Sequence, residues 1–425
     1  MNVVLIGSGG REHALAQKIS ESKKLDNLYL LPGNPGTKNL GENIDITSDD
    51  HDAILAFCKE HKVDLVVVGP EKPLTEGLAD LLRVNGIDVF GPTRAAAKIE
   101  GEKSFAKHLM DEARIPTAAF RVFYKDNHKE AVKYLIKVSY PVVIKADGIA
   151  AGKGVVIADN FDLAKKAVDD CFINSSFGSA GDTIVIEEFM TGQEASVFAI
   201  TDGVNYKLLP AAQDHKRIFD NDEGKNTGGM GAYAPTPFVS NEDFTTIAKE
   251  IVEPTLKTMK ERGTPFNGCL YVGLMMTDSG PKVVEYNCRF GDPETQAVLN
   301  LIDGDFLELL SSAAKGNIDK ESVHYNGGSS VCVVAASGGY PDKFEKGFEI
   351  RGLDDVPSNV KVFHAGTKEV SGKIVTNGGR VLNITSFCEK NDLTKAKKIA
   401  YDALQRISFD KMHYRKDISD KALKN

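Results

Sequence analysis

The sequence predicts a multidomain protein of the α/β and α+β classes: an N-terminal doubly wound parallel sheet, a larger α+β centre and a small mixed C-terminal domain. Three observations carry this. The first hundred residues alternate short apolar runs with helical stretches, the pattern of a parallel sheet wrapped by helices. After Ala113 the rhythm changes to glycine-punctuated, β-rich sequence such as "PVVIKADGIAAGKGVVIA" and "DTIVIEEFMTGQEASVFAI". The 425 residues leave room for roughly two to four domains.

In the first part, strands are predicted at Val3–Ile6, Leu28–Leu31, Leu65–Val68 and Asp88–Phe90, and helices over Asp52–His61 and Glu76–Asn85. The turns Gly7–Gly10, Pro32–Gly36 and Gly69–Pro73 follow three of these strands. Parallel sheets hold ligands at the carboxyl ends of their strands, so the three turns are expected to line one cleft. One long helix is predicted from Arg94 to Ala113. From Gly192 strands and loops dominate, with a helix over Asn241–Arg262 and strands at Cys269–Thr277 and Lys282–Tyr286. "HYNGGSS" reads as a linker, and a helix over Lys395–Ile407 closes the last hundred residues. The expected division is 1–101, 102–326 with a subdomain at about 120–190, and 327–425.

A net charge of −8 with mixed signs argues against a nucleic-acid or membrane-surface binder, which would show a basic patch. No apolar run has transmembrane length, and no signal peptide is expected. The six cysteines form no C-x-x-C pair, which excludes the common zinc and redox motifs and suggests reduced thiols in a cytoplasmic protein.

The opening "VVLIGSGGREHALA" looks like a dinucleotide-binding strand, loop and helix, but Glu12 stands where the third glycine of G-x-G-x-x-G belongs. "KADGIAAGKGVVIA" offers glycines and lysines to phosphates, yet it precedes a strand and lacks the P-loop pattern; read alone it also fits a plain hairpin. In "VIEEFMTGQEASV" a short connector joins two strands and suits presentation of backbone groups to a purine, with Glu194 in reach of ribose hydroxyls; read alone it also fits a surface glutamate flanking a strand. "KVVEYNCRFGDPETQAVL" is richer. Glu285 and Asn287 share a strand face and are oxygen donors suited to Mg²⁺, and Arg289, Asp292 and Glu294 follow. The long loop Ala211–Pro237 carries Asp214, His215, Lys216 and Arg217 and the glycines of "NTGGMG".

"GSGGREHALA", "GPE", "QDHKR", "NTGGMGAY" and "RFGDPETQ", in this order and spacing, resemble the phosphoribosylamine–glycine ligases, a family of the ATP-grasp superfamily. The resemblance runs from Met1 to about Arg406. It implies a central ATP-grasp fold with a mobile lid. It implies ATP-dependent joining of glycine to 5-phosphoribosylamine through glycyl phosphate, an early step of purine synthesis, with Mg²⁺ (Mn²⁺ as an alternative), small-molecule substrates only and a monomeric, monofunctional chain.

Carried over by residue, Lys103 and Lys145 resemble the ATP-phosphate lysines, and Gly148, Gly152, Lys153 and Gly154 the flap over the triphosphate. Glu187, Glu188, Phe189 and Met190 resemble the adenine connector and Glu194 the ribose contact. Glu285 and Asn287 resemble the metal ligands. Many ATP-grasp enzymes have a further acid on the preceding strand, but here it reads "YVGLMMT". Phosphoribosylamine is expected at Gly10, Arg11, Glu12, Glu71 and Asp292, with Lys373 and Arg380 meeting its phosphate. Asp214, Arg289 and Asp292 are expected in catalysis, the first two at glycine or the acyl phosphate. His13 reads equally as a proton shuttle or a packing residue. A Rossmann oxidoreductase would need the missing glycine and an acid after the second strand, which ends "YLLPGNPG".

Overall fold

The structure is a computed structural model and describes residues 1–148 and 154–423. Its N-terminal sheet is parallel and contains β1 (Asn2–Gly7), β2 (Asn27–Pro32), β3 (Glu42–Asn43), β4 (Leu65–Val68) and β5 (Asp88–Phe90) in the order β3-β2-β1-β4-β5. The four expected strands are present, and β3 is too short to leave a periodic signal. Strand order reverses at β1, so the loops after β1 and β4 open the crevice between them. Helix α1 (Gly10–Ile19) starts from the first loop, α2 (His51–Glu60) precedes β4, and α3 (Glu71–Glu76) starts from the second.

The expected Glu76–Asn85 helix is α4 (Leu78–Val84), which Gly77, at φ +96°, separates from α3. The Arg94–Ala113 stretch divides into α5 (Arg94–Gly101) and α6 (Lys103–Glu112), with Glu102 extended between them. Periodicity missed this break because its cause is tertiary. The first amides of α6 donate to Asp147, Lys103 N to its carbonyl (3.2 Å) and Ser104 N to its carboxylate (2.5 Å).

Beyond α6, β6 (Phe120–Tyr124), β7 (Val142–Ala146), β8 (Val155–Ala158) and β9 (Thr183–Glu188) make an antiparallel sheet of order β6-β9-β7-β8. Helices α7 (His128–Leu135) and α8 (Phe161–Phe172) bury their apolar faces on it, around Phe123, Ile144, Phe172 and Ile184. The chain then runs through β10 (Gln193–Thr201), β11 (Tyr206–Leu208), β12 (Gln213–Asp214), β13 (Arg217–Phe219), β14 (Glu223–Asn226) and β15 (Gly231–Ala234). The expected Asn241–Arg262 helix is interrupted by a π segment, Ile247–Val252, between α9 (Asn241–Thr246) and α10 (Glu253–Glu261). Pro254, without an N–H, sits where regular pairing resumes. Strands β16 (Gly268–Thr277) and β17 (Gly280–Asn287) complete the sheet β11-β10-β16-β17.

The remainder comprises α11 (Glu294–Val298), β18 (Ile302–Gly304), α12 (Phe306–Ala314), β19 (Val323–Tyr325), β20 (Ser329–Ser337), β21 (Val360–His364), β22 (Thr367–Val370), β23 (Lys373–Thr376), β24 (Arg380–Cys388), α13 (Leu393–Leu404) and β25 (Met412–His413). "HYNGGSS" is therefore mostly strand, because His324–Tyr325 pair with β18 and Ser329–Ser330 begin β20. The C-terminal sheet has the order β12-β15-β20-β24-β21, with β25 beside β20, so two of its strands come from the middle of the chain. Apolar side chains of the N-terminal sheet share cores with the central sheet, Val4 with Val272 and Leu5 with Phe198 and Phe290. The crevice of the first sheet is thereby held against the strand ends of the second. Among the described residues no helix is long and apolar enough to cross a membrane.

Candidate active site

The crevice is built around the end of β17. Residue alternation puts Glu285 and Asn287 on one face, and the neighbouring strand turns Gly273 toward Glu285, leaving no carboxylate from that side. Cations converge there instead. Lys216 Nζ lies 3.7 Å from Glu285 and 2.9 Å from Glu194. Burial raises the Glu285 carboxyl, but Lys216, Lys145, Lys103 and Arg289 outweigh it and hold the acid below its ordinary range. Burial, with the charge of Lys145, lowers Lys103, while Glu285 opposes the shift. Lys103, Lys145, Lys216 and Arg289 thus bring four positive groups to one crevice, where they can meet the oxygens of a polyphosphate.

The connector expected at adenine, Glu187–Met190, begins where β9 ends. Glu187 is buried and takes Lys145 at 3.0 Å and Lys107 at 3.3 Å through Oε2, while its Oε1 has no partner. Burial pushes Lys107 down to about 8. Lys107 was not anticipated from the sequence, although it lies one helical turn beyond Lys103. Glu188 accepts from Ala119 N, Phe189 is exposed and Met190 half-buried. Lys103 Nζ donates to the Gly148 carbonyl (3.0 Å), and Gly154 O accepts from Ala146 N (2.8 Å). Gly152 and Lys153 lie outside the described residues.

Across the crevice, Arg289 bonds Glu100 (2.7 Å) and Glu71 (3.2 Å), which joins the N-terminal domain to the end of β17. Burial opposes ionisation of Glu71, but Arg289 and Arg11 win and lower it. Asp292 behaves alike: burial is overcome by Arg380, 3.1 Å away, and by Arg11. Asp214 differs. Burial and the nearby Glu294 carboxylate raise it well above its usual range, and its Oδ1 has no partner. Tyr271 OH donates to Glu294 (2.9 Å), whose carboxyl is likewise raised by burial.

The opening loop is closed from within. Gly7 has φ +119°, and a Cβ there would meet Glu12 Cγ at 2.6 Å. Glu12 folds back over the turn, accepts from Gly9 N (2.7 Å) and pairs with Arg11 (2.5 Å). Its carboxylate thus occupies the amide nest that a dinucleotide pyrophosphate would use. Arg11 also donates to the Phe290 carbonyl (3.0 Å), and Gly10 lies against Asn383 and Gln296. Gly10, Arg11 and Glu12 are therefore buried at the junction of the three parts. His13 is a packing residue: its Nδ1 accepts from His364 N (2.9 Å), and its ring meets Phe363 edge-on. Lys373 is not brought to Arg380's partners; it is exposed and pairs with Glu349 (3.0 Å).

Residues 1–100 match the N domain of phosphoribosylglycinamide synthetase, residues 101–295 its ATP-grasp (A) domain and residues 330–421 its C domain. The chain belongs to this family. It is 49% identical to the phosphoribosylamine–glycine ligase of Brucella melitensis, covering 100% of this chain and 98% of that one. It is 44% identical to that of Caldanaerobacter subterraneus subsp. tengcongensis, covering 99% of each. The crystal structure of the Thermotoga maritima phosphoribosylamine–glycine ligase superposes with a TM-score of 0.85 at 35% identity, over 98% of this chain and 100% of that one. A biotin carboxylase domain from Hydrogenobacter thermophilus, solved with MgADP, shares the fold at 17% identity and a TM-score of 0.73, over 97% of this chain and 91% of that one. As a phosphoribosylamine–glycine ligase, the protein uses ATP to join glycine to phosphoribosylamine in purine biosynthesis.

Proposed function

We propose that the ligation runs through glycyl phosphate in the crevice between β17 and the N-terminal sheet. The observation that carries this is the convergence of Lys103, Lys145, Lys216 and Arg289 on Glu285. A carboxylate does not acylate an amine in water without a leaving group, and such a site can bring the two anions, glycine carboxylate and ATP, together. The carboxylate oxygen attacks the γ-phosphorus and ADP leaves. The amine nitrogen of phosphoribosylamine then attacks the acyl carbon, phosphate leaves and the nitrogen loses its proton.

Adenine lies at Glu187–Met190, its exocyclic amine meeting the unpartnered Glu187 Oε1, and the ribose lies beside Glu194. Asp214 receives the glycine ammonium, whose charge would return the raised carboxyl to its ionised form. Arg289 faces the acyl phosphate. Asp292, held ionised, accepts from the incoming amine, with Glu71 at the sugar and Arg380 at its phosphate.

The metal reading fits the donors. Glu285 and Asn287 offer hard oxygens, and among the described residues no three acidic, histidine or cysteine side chains are grouped so as to hold a metal ion by themselves. That favours Mg²⁺ or Mn²⁺ carried largely by nucleotide oxygens and water. When bound, the ion would neutralise the phosphate oxygens. We also infer a cytoplasmic monomer, with segments 1–101, 102–326 and 327–425 as its units.

Glycine labelled with ¹⁸O in both carboxylate oxygens tests the intermediate. One label should appear in each inorganic phosphate released. Unlabelled phosphate in a complete turnover would exclude it.

A further inference from the structure

Glu100, at the end of α5, has a side chain only 10% exposed and was not anticipated from the sequence. Three consecutive residues after Tyr286 address its carboxylate. Cys288 N donates to Oε2 (2.7 Å) and Arg289 Nη2 donates to Oε1 (2.7 Å). With its nitrogen turned inward, the Asn287 amide donates to the Tyr286 carbonyl (3.0 Å) and to Glu100 Oε1 (3.3 Å); turned the other way, it would set oxygen against oxygen. A buried carboxylate is costly, and a packing role would be filled better by an apolar side chain. Its arrangement has a chemical consequence. An asparagine amide can offer either end to the crevice, and only the oxygen binds a hard cation. Glu100 already accepts at both oxygens, from Cys288 N and Arg289 Nη2, so it faces the amide as an acceptor and selects one orientation.

We propose that Glu100 is a positioning residue that fixes the Asn287 amide with Oδ1 toward the metal and Arg289 toward the substrates. This rests on the reading of Glu285 and Asn287 as the metal ligands. With a single acidic ligand in the site, the second ligand contributes a large share of the protein's grip on the ion, and its orientation is set from α5 rather than from its own strand. The same helix end leads directly to Lys103, so one short segment supplies both a phosphate cation and the amide's anchor.

The test is Mn²⁺ binding in the presence of ADP, followed by electron paramagnetic resonance on the full chain. Glu100→Gln keeps the shape but gives residue 100 a donor, so Asn287 is released to flip. Mn²⁺ affinity should fall at least about 10-fold, as for other residues that orient a metal ligand, while ADP binding without metal is unchanged. Asn287→Asp presents oxygen in either orientation. The double variant Glu100→Gln/Asn287→Asp should recover affinity to within about threefold of wild type, and it keeps the test open where the single variant does not fold. Wild-type Mn²⁺ affinity in Glu100→Gln, or no recovery in the double variant, overturns the proposal. Glu285→Gln is the control. Lost Mn²⁺ binding there with normal binding in Glu100→Gln rejects only the positioning role, whereas normal binding in both rejects the metal site itself.

Discussion

Arg380 and Asp292 form an ion pair at 3.1 Å, and the same guanidinium donates to the carbonyl oxygens of Asp292 (2.6 Å) and Gly228 (2.5 Å). The first residue of β24 is thus tied to the turn after β17 and to the glycines of the long loop. Substitution by alanine removes a charge from the proposed phosphate site. Calorimetry with the stable product, glycinamide ribonucleotide, should show Arg380→Ala binding at least ~10-fold more weakly, a loss of about 1.4 kcal/mol, with ATP binding little changed. Lys373, exposed and paired with Glu349, should tolerate alanine with less than ~3-fold change. Equal losses in both variants would return Lys373 to the site.

Glu285→Gln removes the carboxylate on which Lys103, Lys145, Lys216 and Arg289 converge. Catalysis should fall by about 3 kcal/mol or more in transition-state stabilisation, and the remaining ADP release should need much higher Mg²⁺. Glycine-dependent ADP release measured across a Mg²⁺ titration checks this. An unchanged Mg²⁺ requirement would remove Glu285 from the metal site.

Burial pushes His13 and His215 down to about 3 and His364 down to about 4, from 6.5. All three stay neutral in the fold where the unfolded chain takes up protons. Between pH 6.5 and about 4 the unfolded state therefore binds more protons, and stability falls as the pH is lowered through this window. Each histidine contributes about 2 kcal/mol of loss between pH 6.5 and 5. His215 has no partner at either ring nitrogen. His215→Phe should therefore lose less stability between pH 7.5 and 5 than the wild type, by about that amount. Parallel urea midpoints for the two proteins at both pH values would contradict the assignment.

Gly229 stands at φ +110°, where a Cβ would lie 2.4 Å from Pro293 Cδ and 2.7 Å from Asp214 Oδ1. Gly229→Ala must move the loop or the carboxylate. It should raise the KM for glycine at least ~10-fold, with a smaller effect on the KM for ATP, because Lys103 and Lys145 are remote from the clash. Steady-state kinetics with each substrate varied in turn distinguishes this from a general loss of fold, which would lower active enzyme without moving either constant.

The strands of the first sheet were legible because each is a short apolar run between turns, and the shared face of Glu285 and Asn287 because they stand two apart in a strand. What the sequence hid is tertiary. Asp147 breaks the Arg94–Ala113 helix from across the fold. Glu100 meets Cys288 and Arg289 only because α5 is laid beside the end of β17. Lys373 and Arg380 looked like partners across "IVTNGG", yet β23 and β24 join different sheets, and each cation found an acid elsewhere. Glu12 was visible as an exception to a fingerprint, while its place on the loop's own amide was not.

Strands β12 and β15 sit at one side of a sheet whose next strand, β20, begins at Ser329. On the ribosome the Tyr233 backbone emerges long before Val331, its register partner. At translation speeds of roughly 5–20 residues per second, this edge waits on the order of 5–20 s for its neighbour. The ATP-binding half of the enzyme therefore cannot finish folding as it is made. The loop that carries Asp214 and Lys216 takes its final place only after the C-terminal strands arrive. A polypeptide stopped before β20 would carry β12 and β15 and still lack the strand that β15 pairs with.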